Sequence, residues 1–243
     1  MSALDRRLSA DLTVIVPAAG VGARAGGDRP KQYQLLGEDY LLDVTLDRLA
    51  AALPDSPIYV ALHARDKWWK SSRSASDYRF RACAGGETRA ESVRAGLEAM
   101  SARADDPVLV HDIARPCVAA IDIHRLIGEV TGDEAGGLLA APVTDTVKEV
   151  DDTGRVSLTR DRRYLWRALT PQLFPYGVLC RALDEARGSG IEVTDEASAV
   201  EALGLQPRVI RGRSDNIKVT YEGDLALAGW ILQQHDQQME SGG

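Results

Sequence analysis

Cysteine is scarce in this 243-residue chain: Cys83, Cys117 and Cys180 are odd in number and show neither close pairing nor metal-site spacing. A disulfide framework is thereby excluded, and a reducing compartment, the cytoplasm, is expected. No run approaches the roughly 18 apolar residues that span a bilayer, and the polar stretch Met1 to Asp11 lacks the apolar core of a secretion signal. Basic charge is not in excess either. With 29 basic and 36 acidic residues the net charge is −7, which argues against broad binding to nucleic acid or anionic membrane. Cations that grip a phosphate must therefore be concentrated locally. Internal repeats, low-complexity segments, a Ser-His-Asp triad and paired catalytic carboxylates are all missing as well.

What is present is 44% apolar composition, enough to bury a substantial core. No linker interrupts it, so one domain over residues 1–243 is expected. Short apolar runs at Thr13–Val16, Ile58–Leu62, Val108–Val110 and Leu138–Ala141 read as strands. Between them Leu41–Leu53, Thr88–Met100, Ile121–Val130 and Leu179–Ala186 carry the helical period. The alternation predicts an α/β fold with a mainly parallel sheet covered on both faces. Pro142–Leu165 breaks the rhythm. Alternating residues on either side of Asp151-Asp152-Thr153-Gly154 predict a β-hairpin arm over about 142–165, free to reach another subunit. The tail Gln237–Gly243 reads as disordered.

Directly after the first strand comes Pro17-Ala18-Ala19-Gly20-Val21-Gly22-Ala23-Arg24, then Gly26, Gly27 and Arg29-Pro30-Lys31-Gln32. Small residues let backbone N–H groups approach a polyphosphate, while Arg24 and Lys31 supply positive charge. The spacing matches neither G-x-G-x-x-G, because Ala25 occupies the third glycine position, nor the Walker loop. A second small-residue turn, Gly85-Gly86-Glu87-Thr88-Arg89, leads from a strand-like segment into a helix, with Ser92 one turn inside. Such a turn presents free N–H groups to a base or phosphate, although an ordinary helix start would look alike.

The third element, Val108-Leu109-Val110-His111-Asp112-Ile113-Ala114-Arg115-Pro116, ends an apolar strand in an acid and a base. Ligands of open parallel sheets bind beyond the carboxyl ends of strands, which places Asp112 and Arg115 where chemistry is expected. Asp112 suits a hard cation such as Mg2+. His111 has no second histidine spaced to share a metal and is read as packed or hydrogen-bonded. Lys218, in what reads as a strand-like segment, is a solvated charge or a member of the site. Thr194 is read as the N-cap of the helix that follows it.

Together these stretches resemble the 2-C-methyl-D-erythritol 4-phosphate cytidylyltransferase family. The matches are Pro17 to Arg24, Arg29 to Tyr33, Gly85-Gly86 with Arg89 and Ser92, Val110 to Pro116, Asp145 to Lys148, Leu169 to Gln172, Thr194 to Ser198 and Asp215 to Thr220. The resemblance implies a three-layer, Rossmann-like nucleotidyltransferase fold with a dimerisation arm, and cytidylyl transfer from CTP to that acceptor with Mg2+ and release of diphosphate. It implies that Pro17, Ala18, Ala19, Gly20 and Gly22 line the nucleotide, with Arg24 and Lys31 on its phosphates. Gly86, Glu87 and Ser92 would read cytosine, and Asp112 with Ile113 would hold the ribose end and Mg2+. Arg115, Thr170, Thr194 and Lys218 would meet the acceptor, while Thr146 and Arg162 would serve the neighbouring subunit of a homodimer. Two positions depart from the family pattern, Ile113 for alanine and Glu87 for aspartate.

An acceptor phosphate is already a nucleophile near neutral pH, so positioning and charge suffice and no general base is required. Arg24, Lys31 and Lys218 are the expected catalytic cations. A cytidylyltransferase for another polyol phosphate, such as ribitol 5-phosphate, and a non-catalytic nucleotide-binding protein are the readings that compete with this one.

Overall fold

The structure, a computed structural model, describes residues 11–20 and 29–241, with side chains through 238. Gly22 and Arg24 lie outside the described residues, as do residues 242–243. In chain order the elements are strands β1 (Thr13–Ala18), β2 (Leu35–Leu36) and β3 (Asp39–Tyr40), helix α1 (Leu41–Ala52), and strands β4 (Ile58–Leu62) and β5 (Phe80–Ala84). They continue with α2 (Arg89–Glu98), β6 (Pro107–Val110), α3 (Ala120–Val130), β7 (Gly137–Pro142), β8 (Val147–Val150) and β9 (Val156–Arg160). Last come β10 (Trp166–Pro175), α4 (Tyr176–Gly188), α5 (Glu196–Ala202), β11 (Arg208–Arg211) and α6 (Gly223–Ser241).

Seven strands form one sheet in the order β11-β7-β10-β6-β1-β4-β5. β1 lies inside the sheet because its β-branched run Thr13-Val14-Ile15-Val16 can be buried on both faces, and it pairs in parallel with β4 and β6. Val14 and Val16 face one layer, where Leu42, Leu46 and Leu49 of α1 meet Ile123 and Leu126 of α3. Ile15 faces the other, with Val93 and Leu97 of α2 and Leu179 and Ala182 of α4. The period-two alternation of the strand thus meets two helical stripes, the three-layer arrangement expected.

β10 runs antiparallel to both neighbours, β6 and β7, in an otherwise parallel sheet. Its register shifts between Ala168 and Gln172, and this places Thr170 behind the end of β6. Local pattern does not report this strand, because Pro171 removes a backbone donor from the middle of the run. The hairpin is present as β8 and β9, paired Val147↔Arg160 through Val150↔Val156. Val150, Val156 and Leu158 on it are exposed.

Three other expectations need correction. α6 runs to Ser241, so the tail read as disordered is helical through that residue. The segment that carries Lys218 is irregular, and the strand nearby is β11, which ends at Arg211. Asp195 rather than Thr194 caps α5: its side chain accepts the Ser198 N–H at 2.9 Å, whereas Thr194 lies one residue further out. Among the described residues no helix is long and apolar enough to cross a membrane.

Candidate active site

One pocket lies beyond the carboxyl ends of β1, β5 and β6. It is lined by Pro17, Ala18, Ala19 and Gly20 after β1, by Lys31 and Gln32, by the turn Gly86 to Arg89 with Ser92, by Asp112 to Ala114, and by Lys218. Three sequence stretches read separately therefore share one cavity, together with a lysine from a fourth.

Each wall is held by local chemistry. Gln32 is buried and donates Nε2 to Ala18 O at 2.8 Å, which pins the far end of the loop back to β1. Thr88 caps α2 in a capping box with Glu91, an arrangement that contributes about 1 kcal/mol. Ser92, also buried, accepts the Gly86 N–H at 3.1 Å and donates to Thr88 O at 2.9 Å. The turn is thus held from inside the helix.

Asp112 is the electrostatic centre. Its Oδ1 lies 2.8 Å from Arg89 Nε, and its Oδ2 lies 2.9 Å from Lys218 Nζ and 3.6 Å from Arg115 Nε. Burial alone would raise the carboxyl's pKa, but Arg89 and Lys218 outweigh it and hold the group well below the usual carboxylate range. Burial likewise works against the charge on Arg89, yet Glu196 and Asp112 hold that guanidinium above its ordinary value. For Arg115 burial wins and its pKa is lowered. Lys218, at 43% exposure against 25% for Arg89 and 12% for Arg115, is the cation best placed to leave Asp112 for an incoming anion.

His111 is packed and hydrogen-bonded, as its sequence context suggested. It is fully buried, with Nε2 3.0 Å from Arg115 O and Nδ1 3.1 Å from Thr170 Oγ1. Burial pushes its pKa from 6.5 down to about 4. The unfolded chain therefore binds a proton as pH falls through 6.5, while the folded chain does not until about 4. Stability should fall across that window and draw no further loss from this group below it. Urea unfolding of the parent and of His111→Gln measures this, and a slope that persists undiminished in H111Q removes the assignment.

The remaining expected residues are placed as follows. Thr170 is buried and its hydroxyl is committed to the Asp112 N–H at 3.0 Å and to His111, so it reaches the pocket only through Asp112. Arg115 lies beneath the pocket wall, donating Nη1 to Asn216 O at 2.8 Å. Thr194, Thr146 and Arg162 are exposed and do not line this cavity. Arg162 donates to Thr144 O at the base of the arm. Ile113 lines the pocket yet is only 7% exposed and belongs to the core cluster, so its extra volume over alanine is taken up inside. Sequence reasoning gave no role to Arg89, Gln32 or Asn216. Their position inside the matching stretches was the available signal.

A mostly parallel sheet in a three-layer fold, with a small-residue loop, a glycine turn at a helix start and clustered cations at its carboxyl edge, is the arrangement of a nucleotidyltransferase. The model of the 2-C-methyl-D-erythritol 4-phosphate cytidylyltransferase family (IspD) matches residues 12–234, and the chain belongs to that family. The cytidylyltransferase of Hahella chejuensis bearing that name is 48% identical over 231 residues, covering 94% of this chain and 96% of that one. Its namesake from Dechloromonas aromatica is 49% identical over 224 residues, covering 90% and 96%. Among solved structures, the Francisella tularensis enzyme is similar with a TM-score of 0.78 at 37% identity, covering 90% of this chain and 99% of the other. The Thermus thermophilus enzyme gives 0.75 at 30% identity, covering 91% and 98%.

Proposed function

We propose that this chain transfers the cytidylyl group of CTP to 2-C-methyl-D-erythritol 4-phosphate, releasing diphosphate, as a step of isoprenoid precursor synthesis. The observation that carries this reading is the shared pocket of Gly20, Gly86, Ser92, Asp112 and Lys218. The backbone of Ala18 to Gly22 takes the triphosphate, and Arg24 and Lys31 balance its charge. Gly86, Glu87 and Ser92 meet the cytosine edge, and Asp112 with Ile113 meets the ribose. The acceptor phosphate enters beside Lys218, on the side of Arg115 and Thr194, and attacks the α-phosphorus in line with the leaving diphosphate. Lys31 and Lys218 stabilise the charge that builds on the transferring group, in a pocket where preorganised donors cost nothing to reorient.

Mg2+ fits the donor set in one form. Glu87 and Asp112 are the acids that line the pocket, and among the described residues no cluster of three or more His, Cys, Asp or Glu could hold a metal. A hard cation that takes most of its shell from triphosphate oxygens and water needs only one carboxylate, and Asp112 would supply it. Mg2+ so bound would neutralise triphosphate charge and ease the departure of diphosphate.

Diphosphate release on mixing the protein, CTP, Mg2+ and each of two acceptors, 2-C-methyl-D-erythritol 4-phosphate and ribitol 5-phosphate, tests the reading. Turnover is expected with the first. A preference for the second would reassign the acceptor, and no release with either would leave a binding protein.

The arm supports a homodimer in which Thr146 and Arg162 serve the partner's acceptor site. It carries Val150, Val156 and Leu158 exposed on a two-stranded sheet with no core of its own. Excising residues 147–160 should give a monomer in light scattering with kcat/KM for the acceptor lowered at least about tenfold. A monomer of parental activity would remove both residues from the site. Three free thiols, on Cys83, Cys117 and Cys180, support a reducing cytoplasm as the setting.

A further inference from the structure

Glu196 is charged, fully buried, and outside the lining of the pocket. An isolated carboxylate buried to that degree costs several kcal/mol, so its partner must matter. That partner is Arg89, which gives Nη1 to Oε1 at 2.6 Å and Nη2 to Oε2 at 3.0 Å. The guanidinium is a rigid plane with donors in a fixed fork, so a carboxylate that holds its two terminal nitrogens also sets the direction of the third. The third, Nε, donates to Asp112 Oδ1.

Glu196 is itself firmly placed. It is the first residue of α5, whose N-cap Asp195 accepts Gln172 Nε2 at 2.9 Å, while Gln172 Oε1 accepts the Ala197 N–H at 2.9 Å. Gln172 belongs to β10 and pairs with Val110, two residues before Asp112. The first turn of α5 is therefore fastened to the strand beside the one that carries Asp112.

We infer that Glu196 is a positioning residue for the transfer: by clamping Arg89 end-on it reserves Asp112 Oδ2 for Lys218 and so keeps the Lys218 ammonium at the pocket wall. One carboxylate can accept a bidentate guanidinium, or a single guanidinium N–H and an ammonium, but not both sets at full strength. Without the charge of Glu196, the fork of Arg89 turns onto Asp112. Lys218, the most exposed of the three cations, is the one displaced. The contact also links α5, next to Thr194, to the nucleotide side of the pocket. This inference rests on the role given to Lys218 above.

The test is steady-state kinetics on the parent, Glu196→Gln, Lys218→Ala and the double variant, with a crystal structure of E196Q. E196Q is expected to lose about 10- to 100-fold in kcat, with KM for CTP changed less than about threefold, because the cytosine-reading turn is untouched. In the K218A background the same substitution should cost less than about twofold, since its effect passes through Lys218. The crystal should show Arg89 bidentate on Asp112 and Lys218 Nζ off it. Equal losses in both backgrounds, or a Lys218–Asp112 pair intact in the crystal, would overturn the inference. If E196Q does not fold, Glu196→Asp, which keeps the charge but withdraws it by one methylene, runs the same cycle under the same criteria. A parent without turnover would refute the functional reading, while the crystal would still decide this one.

Discussion

Lys218→Ala is expected to lower kcat by about 10²–10³-fold, the usual loss when one preorganised donor to a transition-state oxyanion is removed, and to leave the protein folded. The second half of that statement follows from how the loop is held. Val219 N–H donates to Ala114 O at 2.8 Å, Asn216 Nδ2 to Thr170 O at 2.8 Å, and the Thr220 and Tyr221 N–H groups to Asp224 Oδ2 at 2.8 and 2.9 Å. None of these bonds uses the lysine side chain. Asp112 also keeps Arg89 when Lys218 is gone, so no carboxylate is stranded in the core. The first half follows from exposure and reach: the ammonium is half out of the protein, ion-paired with Asp112 at 2.9 Å, and faces the cavity. Lys218→Arg should restore only part of the rate, because a planar fork does not replace a compact ammonium that shifts between two anions. Kinetics alongside a melting curve checks both halves. A variant with kcat within about threefold of the parent would take Lys218 out of the chemistry, and a collapsed melting curve would refute the account of the loop.

The parts of this fold that were legible in the sequence are those where local chemistry and tertiary role agree. β1 is a β-branched run that ends in small residues, and it is both an interior strand of the sheet and the lead into the glycine-rich loop. The turn Gly85 to Arg89 reads as a helix start, and α2 begins there, capped by Thr88 with Glu91. Where tertiary contacts overrule local signals, the sequence was silent. β10 is accepted as a strand despite Pro171 because β6 and β7 flank it on both sides. α6 ends in the polar run Gln233 to Gln238, which resembles a tail. It stays helical because Ile231 and Leu232 pack on Leu36 and Leu41, Asp236 pairs with Arg48 at 2.7 Å, and His235 reaches Asp215 at 3.0 Å.

The site divides in the same way. Asp112 was visible because it follows the end of a strand, and Gly86 because it lies in the turn that leads into a helix. The partnership of Glu196 with Arg89 joins residues 107 positions apart, and no spacing rule reports it. Thr170 could be seen in its stretch, but that its hydroxyl serves the Asp112 backbone depends on the shift of register in β10.

Gly85→Ala should raise KM for CTP by about tenfold or more and cost about 1–3 kcal/mol of stability, the range for overpacking a dense interior. The reason is steric. A methyl on Gly85 would lie 2.6 Å from Ala19 Cβ, 3.1 Å from Ser92 Oγ and 3.2 Å from Leu62 O. None of these is the free end of a flexible side chain. Ala19 ends the segment from β1, Leu62 O already accepts the Gly85 N–H at 2.7 Å, and the Ser92 hydroxyl is fixed by Gly86 and Thr88. Relief requires the turn after β5 to move away from the loop after β1, and those are the two walls between which the nucleotide is proposed to lie. Gly20→Ala is the matching control. Among the described residues its added methyl meets nothing within 4 Å, so the melting temperature should stay at the parental value, and CTP binding should weaken if the nucleotide lies beside Gly20 as proposed. CTP titration and thermal melts of both variants separate the two effects. G85A with parental KM and melting temperature would show that the walls can part without cost, and G20A with parental CTP affinity would move the nucleotide away from the loop.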